Sequence, residues 1–204
     1  MNVLVVSANL VNDSLLLETK GFILDKLLSL GHSVVESDLD AQGFDPYITI
    51  EEYNVEEKDN LYIAQGQAYP NNYSPDVQNE MSKLKQADVI IVITKLVKNI
   101  PPTILVGWLQ RVFPIKFAIF SEDKNLDDKK FLFVSGEQGQ CNFECVKRFV
   151  LHGFGGINFN VLEPILFHEI QDLVNELAKF EDFENWPKMS TVNRTDLRRR
   201  SLVT

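Results

Sequence analysis

The strongest constraint on this chain is a series of short, nearly continuous apolar runs separated by segments with helical spacing. The clearest runs are residues 2–7, 89–93 and 131–134. A strand covered on both faces of a sheet has this composition, because neither set of alternating side chains meets solvent. Strands that alternate with helices build a parallel sheet through right-handed crossovers. The sequence therefore predicts an α/β fold, a doubly wound five-stranded parallel sheet in a three-layer α/β/α sandwich.

Helix-capping residues, together with Gly and Pro, indicate where the other helices, strands and loops begin and end. Asn12, Asp13 and Ser14 are N-cap candidates for a first helix that Gly31 ends. Residues 40–74 are polar and broken by Gly and Pro, so we expect a long functional loop there. The remaining predicted elements are strands at 33–37 and 158–162 and helices at 75–86, 101–113, 141–152 and 169–183.

The same patterns predict one domain over residues 1–183. Residues 184–204 lack periodicity and are predicted to be a C-terminal tail. The sequence Arg198-Arg199-Arg200-Ser201 in that tail has two interpretations, a kinase recognition site or simply a basic tail.

Charge excludes several classes of partner. Lys and Arg number 20 and Asp and Glu number 29, giving a net charge of −9. An acidic body does not attract nucleic acid, which binds to basic surface. No apolar run reaches the roughly 20 residues that span a bilayer, and the start lacks a signal-peptide pattern. We therefore expect a cytoplasmic protein without a nucleic-acid partner or a membrane span.

Cysteine and histidine usage gives no indication of a metal site. Cys141 and Cys145 are too few for a disulfide scaffold, and the three His show no matching ligand spacing. We therefore expect ordinary thiols and no metal.

Ligands of doubly wound folds bind outside the carboxyl ends of the strands. Residues 7–14 follow the first strand and lack the glycines of a dinucleotide or phosphate-binding loop. Asn9, Asn12 and Ser14 suit a phosphate, whereas the carboxylate of Asp13 would repel one. The alternative is plain helix capping by Asp13 or Ser14. The other candidate loops are residues 38–50, 94–102, 135–140 and 163–168.

One stretch of the sequence carries a specific resemblance. Residues 102–113 read Pro-Thr-Ile-Leu-Val-Gly-Trp-Leu-Gln-Arg-Val-Phe. This pattern resembles the flavin-dependent NAD(P)H:quinone reductases. Further matches to that family fall in order along residues 3–164, at 36–39, 44–46, 74–76, 87–91 and 161–164.

The resemblance implies a flavodoxin-like fold and a homodimer with flavin sites at the subunit interface. It favours FAD, with FMN or no flavin as the alternatives, and it implies NAD(P)H as the electron donor and a quinone-like acceptor in a ping-pong cycle. Carried over position by position, it implies the cofactor-binding residues Asn9, Ser14, Leu15, Leu16, Leu96, Val97, Lys98, Asn99, Gly136, Glu137, Gln138 and Gly139.

The sequence departs from the family where the flavin ring would bind. The family's third-strand loop reads Pro-Leu-Gln-Trp-Phe-Gly, and residues 95–100 here read Lys-Leu-Val-Lys-Asn-Ile. The aromatic pair is lost, and Ile100 takes a glycine position where positive φ would be strained. The family's Tyr and His that assist hydride transfer have no counterpart. We therefore assign no catalytic residue.

Several residues keep two interpretations. Lys98 either stabilises an anionic reduced flavin or is a solvated surface lysine. Gly136 and Gly139 either approach a ligand closely or form a turn. Trp108 and Phe113 either line a pocket or pack in the core or a dimer interface.

Two functions remain open. The chain is either a flavin-dependent NAD(P)H oxidoreductase, or a flavodoxin-like homodimer that has lost flavin or hydride transfer and acts as a binding or regulatory protein.

Overall fold

The computed structural model describes residues 1–8, 13–56, 60–97, 100–118, 126–136, 159–167 and 169–189. Its strands are β1 (Asn2–Ala8), β2 (Ser33–Asp38), β3 (Val89–Lys95), β4 (Lys130–Gly136), β5 (Asn160–Val161) and β6 (Ile165–Phe167). Its helices are α1 (Ser14–Ser29), α2 (Leu61–Ala68), α3 (Pro75–Gln86), α4 (Thr103–Val112), α5 (Ile115–Ala118) and α6 (Ile170–Leu177), with 3₁₀ turns at Ile50–Glu52 and Ala178–Glu181.

The strands form one parallel sheet in the order β2-β1-β3-β4-β5, and this confirms the predicted doubly wound fold. The fifth position of the sheet is divided between two short strands. β5 pairs with the start of β4, and β6 pairs with its end. The expectation of a plain loop over 163–168 is therefore wrong for residues 165–167. Pro164 lies between the two strands, where its missing N–H interrupts the pairing.

Alternating side chains of each central strand enter two separate cores. On β1, Val3 and Val5 pack against α1 and α6, whereas Leu4 and Val6 pack against α3 and α4. β3 and β4 divide in the same way, and Phe131 and Phe133 extend the second core. Apolar side chains on both faces explain why these strands read as continuous runs.

Helix α1 follows its predicted boundaries closely. Asp13 is its N-cap, and Gly31 after the last turn has φ 76°. Glycine suits that left-handed conformation because it has no Cβ. The start of α3 at Pro75 after Ser74 is also as predicted.

Residues 40–56 and 60–74 contain more regular structure than their polar sequence predicts. The segment contains the 3₁₀ turn Ile50–Glu52 and helix α2, and it buries aromatic and small side chains. These buried residues are Phe44, Tyr53, Ala64, Ala68 and Tyr73. They join the α3–α4 core, so the description of the segment as one irregular loop is wrong.

The packed part of the chain reaches beyond residue 183. Trp186 and Met189 are buried, and Lys188 forms a bridge with Leu162. The last predicted helix, 169–183, is shorter than expected, because α6 ends at Leu177 and continues as a 3₁₀ turn. The predicted helix near 141–152 lies outside the described residues. Within the described ranges, no helix is both long and apolar enough to cross a bilayer.

Candidate functional site

The carboxyl ends of β1, β3 and β4 lie side by side at one edge of the sheet. Ala8 pairs with Thr94, and Thr94 pairs with Ser135. The Thr94 hydroxyl donates to the Ala8 carbonyl at 3.0 Å, and Thr94 and Ser135 are fully buried. This edge includes the β1/β3 position where the strand order reverses, which is where flavodoxin-like folds bind ligands.

The N-terminus of α1 at this edge is capped by a carboxylate of the chain itself. Oδ1 of Asp13 accepts hydrogen bonds from the N–H groups of Leu15 at 3.1 Å and Leu16 at 3.3 Å. Oδ2 of the same carboxylate lies 2.5 Å from Nζ of Lys95, the last residue of β3. The Lys95 hydrogen bond lowers the pKa of Asp13, and it outweighs the opposing effect of burial.

Residues 96–100 begin in the core and end at the surface. Leu96 is fully buried in the α3–α4 core. Val97 and Ile100 exchange two backbone hydrogen bonds of 3.0 Å each, and their side chains are 53% and 65% exposed. Asp128 is the one non-glycine residue of the described ranges with positive φ, so Ile100 avoids the strain that a glycine position would impose. We call Val97 and Ile100 the apolar bridge.

Gly136 ends β4 and is buried in the sheet. It pairs with Lys95 on one side and Phe167 on the other. A Cβ built on Gly136 would lie 3.5 Å from the Phe167 ring, which is an ordinary contact. Gly136 is therefore a strand residue here and does not form a turn.

The structure brings together only some of the predicted cofactor-binding residues. Ser14 is exposed as the first residue of α1, Leu15 is partly buried, and Leu16 is 4% exposed in the α1–α6 core. The capping alternative is confirmed for Asp13. Asn9, Lys98, Asn99, Glu137, Gln138 and Gly139 lie outside the described residues, as do Cys141, Cys145 and His152.

Lys95 is the residue of this edge that sequence reasoning misses. Its sequence signal is a lone basic residue at the end of a buried strand. The acidic N-cap candidate that it pairs with lies 82 residues earlier in the chain. Among the described residues, no three His, Cys, Asp or Glu side chains converge to hold a metal ion.

The family-like stretch 102–113 is structural. A Cβ on Gly107 would lie 2.2 Å from the Pro46 carbonyl oxygen, so only glycine lets α4 approach the 43–47 segment this closely. Trp108 is fully buried, and its indole N–H donates to Glu80 at 3.0 Å. Its ring packs edge-on against Phe113 at 5.2 Å, which confirms the core interpretation for Trp108.

Arg111 holds the 45–76 segment on α4. Its Nε donates to Glu52 at 2.7 Å, and Nη1 donates to Asp76 at 2.8 Å and to the Asp45 carbonyl at 2.5 Å. Nη2 donates to the Ser74 hydroxyl at 3.1 Å. Burial opposes ionisation, but the bonds to Glu52 and Asp76 outweigh it and raise the pKa of Arg111. Gly107, Trp108 and Arg111 of the stretch that carries the resemblance thus support the fold.

Comparison with known proteins agrees with this architecture. A family model described as flavodoxin-like fold matches residues 1–185. The chain belongs to that family. It is 29% identical over 208 residues to NAD(P)H dehydrogenase [quinone] 1 of Rattus norvegicus, and the match covers 91% of this chain and 74% of the rat protein.

Two solved structures share the fold. A Klebsiella pneumoniae protein assigned as a quinone reductase has a TM-score of 0.79 and 21% identity, covering 92% of this chain and 86% of its own. The NAD(P)H:quinone oxidoreductase of Methanothermobacter marburgensis has a TM-score of 0.71 and 18% identity, covering 93% and 99%. This chain is therefore a flavodoxin-like protein that resembles NAD(P)H quinone reductases at modest identity.

The described residues suit the ring system of a flavin, whereas Asp13 blocks the position that suits its phosphate. The apolar bridge offers exposed aliphatic surface that suits a planar ring system. The N–H groups of Leu15 and Leu16 have the chemistry that suits a phosphate. The Asp13 carboxylate already accepts from both of them, so a phosphate fits only after Asp13 leaves.

Proposed function

We propose that this chain is a flavin-dependent NAD(P)H oxidoreductase that reduces quinones or similar acceptors. The observation that carries the proposal is the apolar bridge, an exposed aliphatic pair directly after β3 in a flavodoxin-like sheet. Exposed aliphatic side chains at the ligand-binding edge of a doubly wound sheet favour a ring-shaped ligand over a purely polar one.

The flavin supplies the hydride chemistry when it is bound, and the protein supplies position and exclusion of water. The two backbone hydrogen bonds of the apolar bridge hold Val97 and Ile100 in a fixed geometry before any ligand arrives. Such pre-organisation reduces the entropy lost on binding. Buried Leu96 anchors the bridge to the core beneath it.

The finer points of the proposal follow the resemblance of the sequence to the NAD(P)H:quinone reductases. NAD(P)H is the donor, a quinone-like compound is the acceptor, and the two react in turn at one site by a ping-pong cycle. FAD is the proposed flavin, with FMN as the alternative. The proposed assembly is a homodimer in the cytoplasm. The name of the rat relative supports the donor and acceptor.

The test is anaerobic reduction of purified protein reconstituted with FAD or FMN. The proposal predicts that the flavin absorbance bleaches on addition of NADH or NADPH and returns on addition of a quinone. A flavin that binds stoichiometrically but stays oxidised with both nucleotides would contradict the oxidoreductase assignment.

A second candidate function is a flavodoxin-like homodimer that binds partners without redox chemistry. The occupation of the α1 N-terminus by Asp13 favours this candidate. It predicts that FAD, FMN and riboflavin all leave the melting temperature unchanged, because a ligand specific to the folded state must raise it.

A further inference from the structure

We propose that the open edge of β2 is a docking site for residues 198–203 of a second copy of this chain, which add to the sheet as an antiparallel strand. The edge offers outward-facing backbone groups, two carboxylates on one face and a cavity on the other. The C-terminal segment has basic and aliphatic side chains in the complementary order. The docking site uses neither the apolar bridge nor the start of α1, so it is independent of the proposed function.

β2 is an outermost strand of the sheet that the described residues form. The N–H of Ser33 donates to the Met1 carbonyl at 3.0 Å, so the backbone of Ser33 faces β1. Backbone groups alternate along a strand, and those of Val34 and Glu36 therefore point outwards. Nζ of Lys83 donates to the Glu36 carbonyl at 3.4 Å, a long bond that a backbone N–H can replace. Such an edge is a template for one more strand.

The α1 side of this edge is acidic. The register with β1 places Val34, Glu36 and Asp38 on the face of the sheet that α1 covers. The Glu36 side chain is 47% exposed and that of Asp38 is 30% exposed. Nζ of Lys20 lies 3.8 Å from the Glu36 carboxylate and 2.6 Å from that of Asp38, so one cation faces two anions. Basic side chains on this face of an added strand would balance the remaining charge.

The α3 side of the same edge has an exposed apolar side chain and a cavity. Val35 points to this face and is 47% exposed. It lines a cavity of about 140 Å³ together with the buried Leu4 and Ala87. Lys83 also borders the cavity, and the buried carboxylate of Glu80 at 2.6 Å balances its charge. An aliphatic side chain of an added strand would fill this cavity without meeting an unpaired charge.

The C-terminal segment has the pattern that this edge requires. Residues 198–203 read Arg-Arg-Arg-Ser-Leu-Val and lie outside the described residues. An antiparallel alignment places alternate side chains of the segment opposite complementary ones of β2: Arg198 with Asp38, Arg200 with Glu36, and Leu202 with Val34. Ser201 and Val203 then lie on the side of Val35 and its cavity. A parallel alignment would instead place an arginine beside Val34 and Leu202 beside a carboxylate.

The charges of the edge also decide against a second β2 strand as the occupant. Two β2 strands side by side would bring the carboxylates of Glu36 and Asp38 of both copies together, and like charges on paired strands destabilise a sheet. The acidic edge therefore favours a basic strand.

The length of the connecting chain indicates that the docked segment comes from a second copy. The N–H of Met189 donates to the Val161 carbonyl of β5 at 2.8 Å, on the far side of the sheet from β2. Residues 190–197 span at most about 30 Å when fully extended. A path round the sheet to Asp38 is about 40 Å long, because the chain must cross from β5 to β2 and also pass a helix layer or the length of β2.

Disulfide trapping between two separately purified chains tests the docking. Val35 and Ser201 are opposite in this alignment, in the type of pair whose Cα atoms lie about 4.5 Å apart, which suits a disulfide. One full-length protein carries Val35→Cys and the other, enlarged by a tag, carries Ser201→Cys. Cys141 and Cys145 are replaced by serine in both. The mixed disulfide should form at least about fivefold faster than with Leu202→Cys, whose side chain points to the other face.

A pair of charge variants tests the alignment further. Arg200→Glu, added to the Ser201→Cys chain, should slow the cross-linking at least about fivefold because it places two carboxylates opposite each other. Arg199→Glu is the matched control, since it makes the same change of charge on the other face and should have little effect. Glu36→Arg in the Val35→Cys chain should restore the rate that Arg200→Glu lowers. Circular dichroism of each variant checks that it is folded.

Each contrary outcome overturns a defined part of the proposal. Equal rates for Ser201→Cys and Leu202→Cys would overturn the antiparallel pairing. Equal slowing by Arg199→Glu and Arg200→Glu would reduce the contact to general charge attraction and overturn the docking site. A disulfide that forms only within a chain carrying both Val35→Cys and Ser201→Cys would overturn the assignment to a second copy.

Discussion

At the scale of single residues, the ionisation of Asp13 makes its contribution to the stability of the fold depend on pH. Its pKa lies below the ordinary value of 3.8, chiefly because Lys95 donates to it. A depressed carboxyl pKa contributes stability above the unfolded pKa and loses it as pH falls through the folded pKa.

The first prediction compares wild type with Asp13→Asn. Asparagine caps a helix about as well as aspartate, so the variant removes the charge and keeps the cap. We expect wild type to be more stable by about 0.2–1 kcal/mol at pH 7. The difference should shrink below pH 4 and vanish in stronger acid. Urea denaturation from pH 7 to pH 2 measures it, and a difference independent of pH would contradict the ion pair.

Arg111 is the other residue on which much of the fold depends. Its side chain is 4% exposed, and that of its partner Glu52 is 8% exposed. The guanidinium also lies 4.9 Å from the centre of the Phe44 ring. Its five partners lie between residues 44 and 76, so one side chain joins α4 to both ends of that segment.

The second prediction is that Arg111→Met lowers the free energy of unfolding by about 3–5 kcal/mol, because it leaves the Glu52 carboxylate buried without its cation. Combining it with Glu52→Gln should restore part of the loss. Chemical denaturation of the two variants measures both effects. A loss below about 1 kcal/mol for Arg111→Met would show that the pair is not buried as described.

At the scale of elements, α4 is built around the contact between Gly107 and Pro46. Gly21, in the middle of α1, offers the opposite environment, because a Cβ there would meet nothing within 4 Å. The two glycines thus allow the same substitution to be compared in two helices.

The third prediction is that Gly107→Ala and Gly21→Ala change stability in opposite directions. Gly107→Ala should destabilise by about 1–3 kcal/mol or more, since the backbone of Pro46 must move. Gly21→Ala should stabilise by about 0.5–1 kcal/mol through helix propensity. Thermal and urea unfolding give both values. A neutral effect of Gly107→Ala would contradict the close packing of α4 on the 43–47 segment.

Elements whose apolar residues are contiguous could be predicted from the sequence. β1, β3 and β4 are buried on both faces, so their composition alone indicates strands. The segment 40–74 could not be predicted, because its buried residues are isolated among polar ones and depend on α3 and α4 for burial. β6 could not be predicted, because the three residues Ile165–Phe167 are too few to show a strand pattern.

The position of the carboxyl edge could be predicted from the sequence, but its contacts could not. Parallel strands end at one edge of the sheet, so the predicted loops 94–102 and 135–140 could be assigned to it. The pairing of Asp13 with Lys95 could not, because local spacing contains no information on contacts between distant residues. Capping by Asp13 or Ser14 was an open alternative, and the structure decides for Asp13.

At the scale of the whole molecule, the fourth prediction concerns assembly. The proposed assembly is a homodimer with each flavin site at the interface, as the resemblance in the sequence implies. Light scattering after size-exclusion chromatography should give twice the mass of one chain over a range of protein concentrations. A monomer at every concentration would contradict the proposed assembly and would leave each carboxyl edge to bind its ligand alone.

The central claim is that the carboxyl edge of β1, β3 and β4 binds a flavin, with the ring at the apolar bridge and the phosphate at the start of α1. Titration of isotope-labelled protein with riboflavin and FMN, followed by NMR of the backbone amides, tests it most directly. Both ligands should shift the amides of Val97 and Ile100 in wild type and in Asp13→Gly. In Asp13→Gly, FMN alone should also shift those of Leu15 and Leu16. Flavins that leave Val97 and Ile100 unchanged in both proteins would contradict the account.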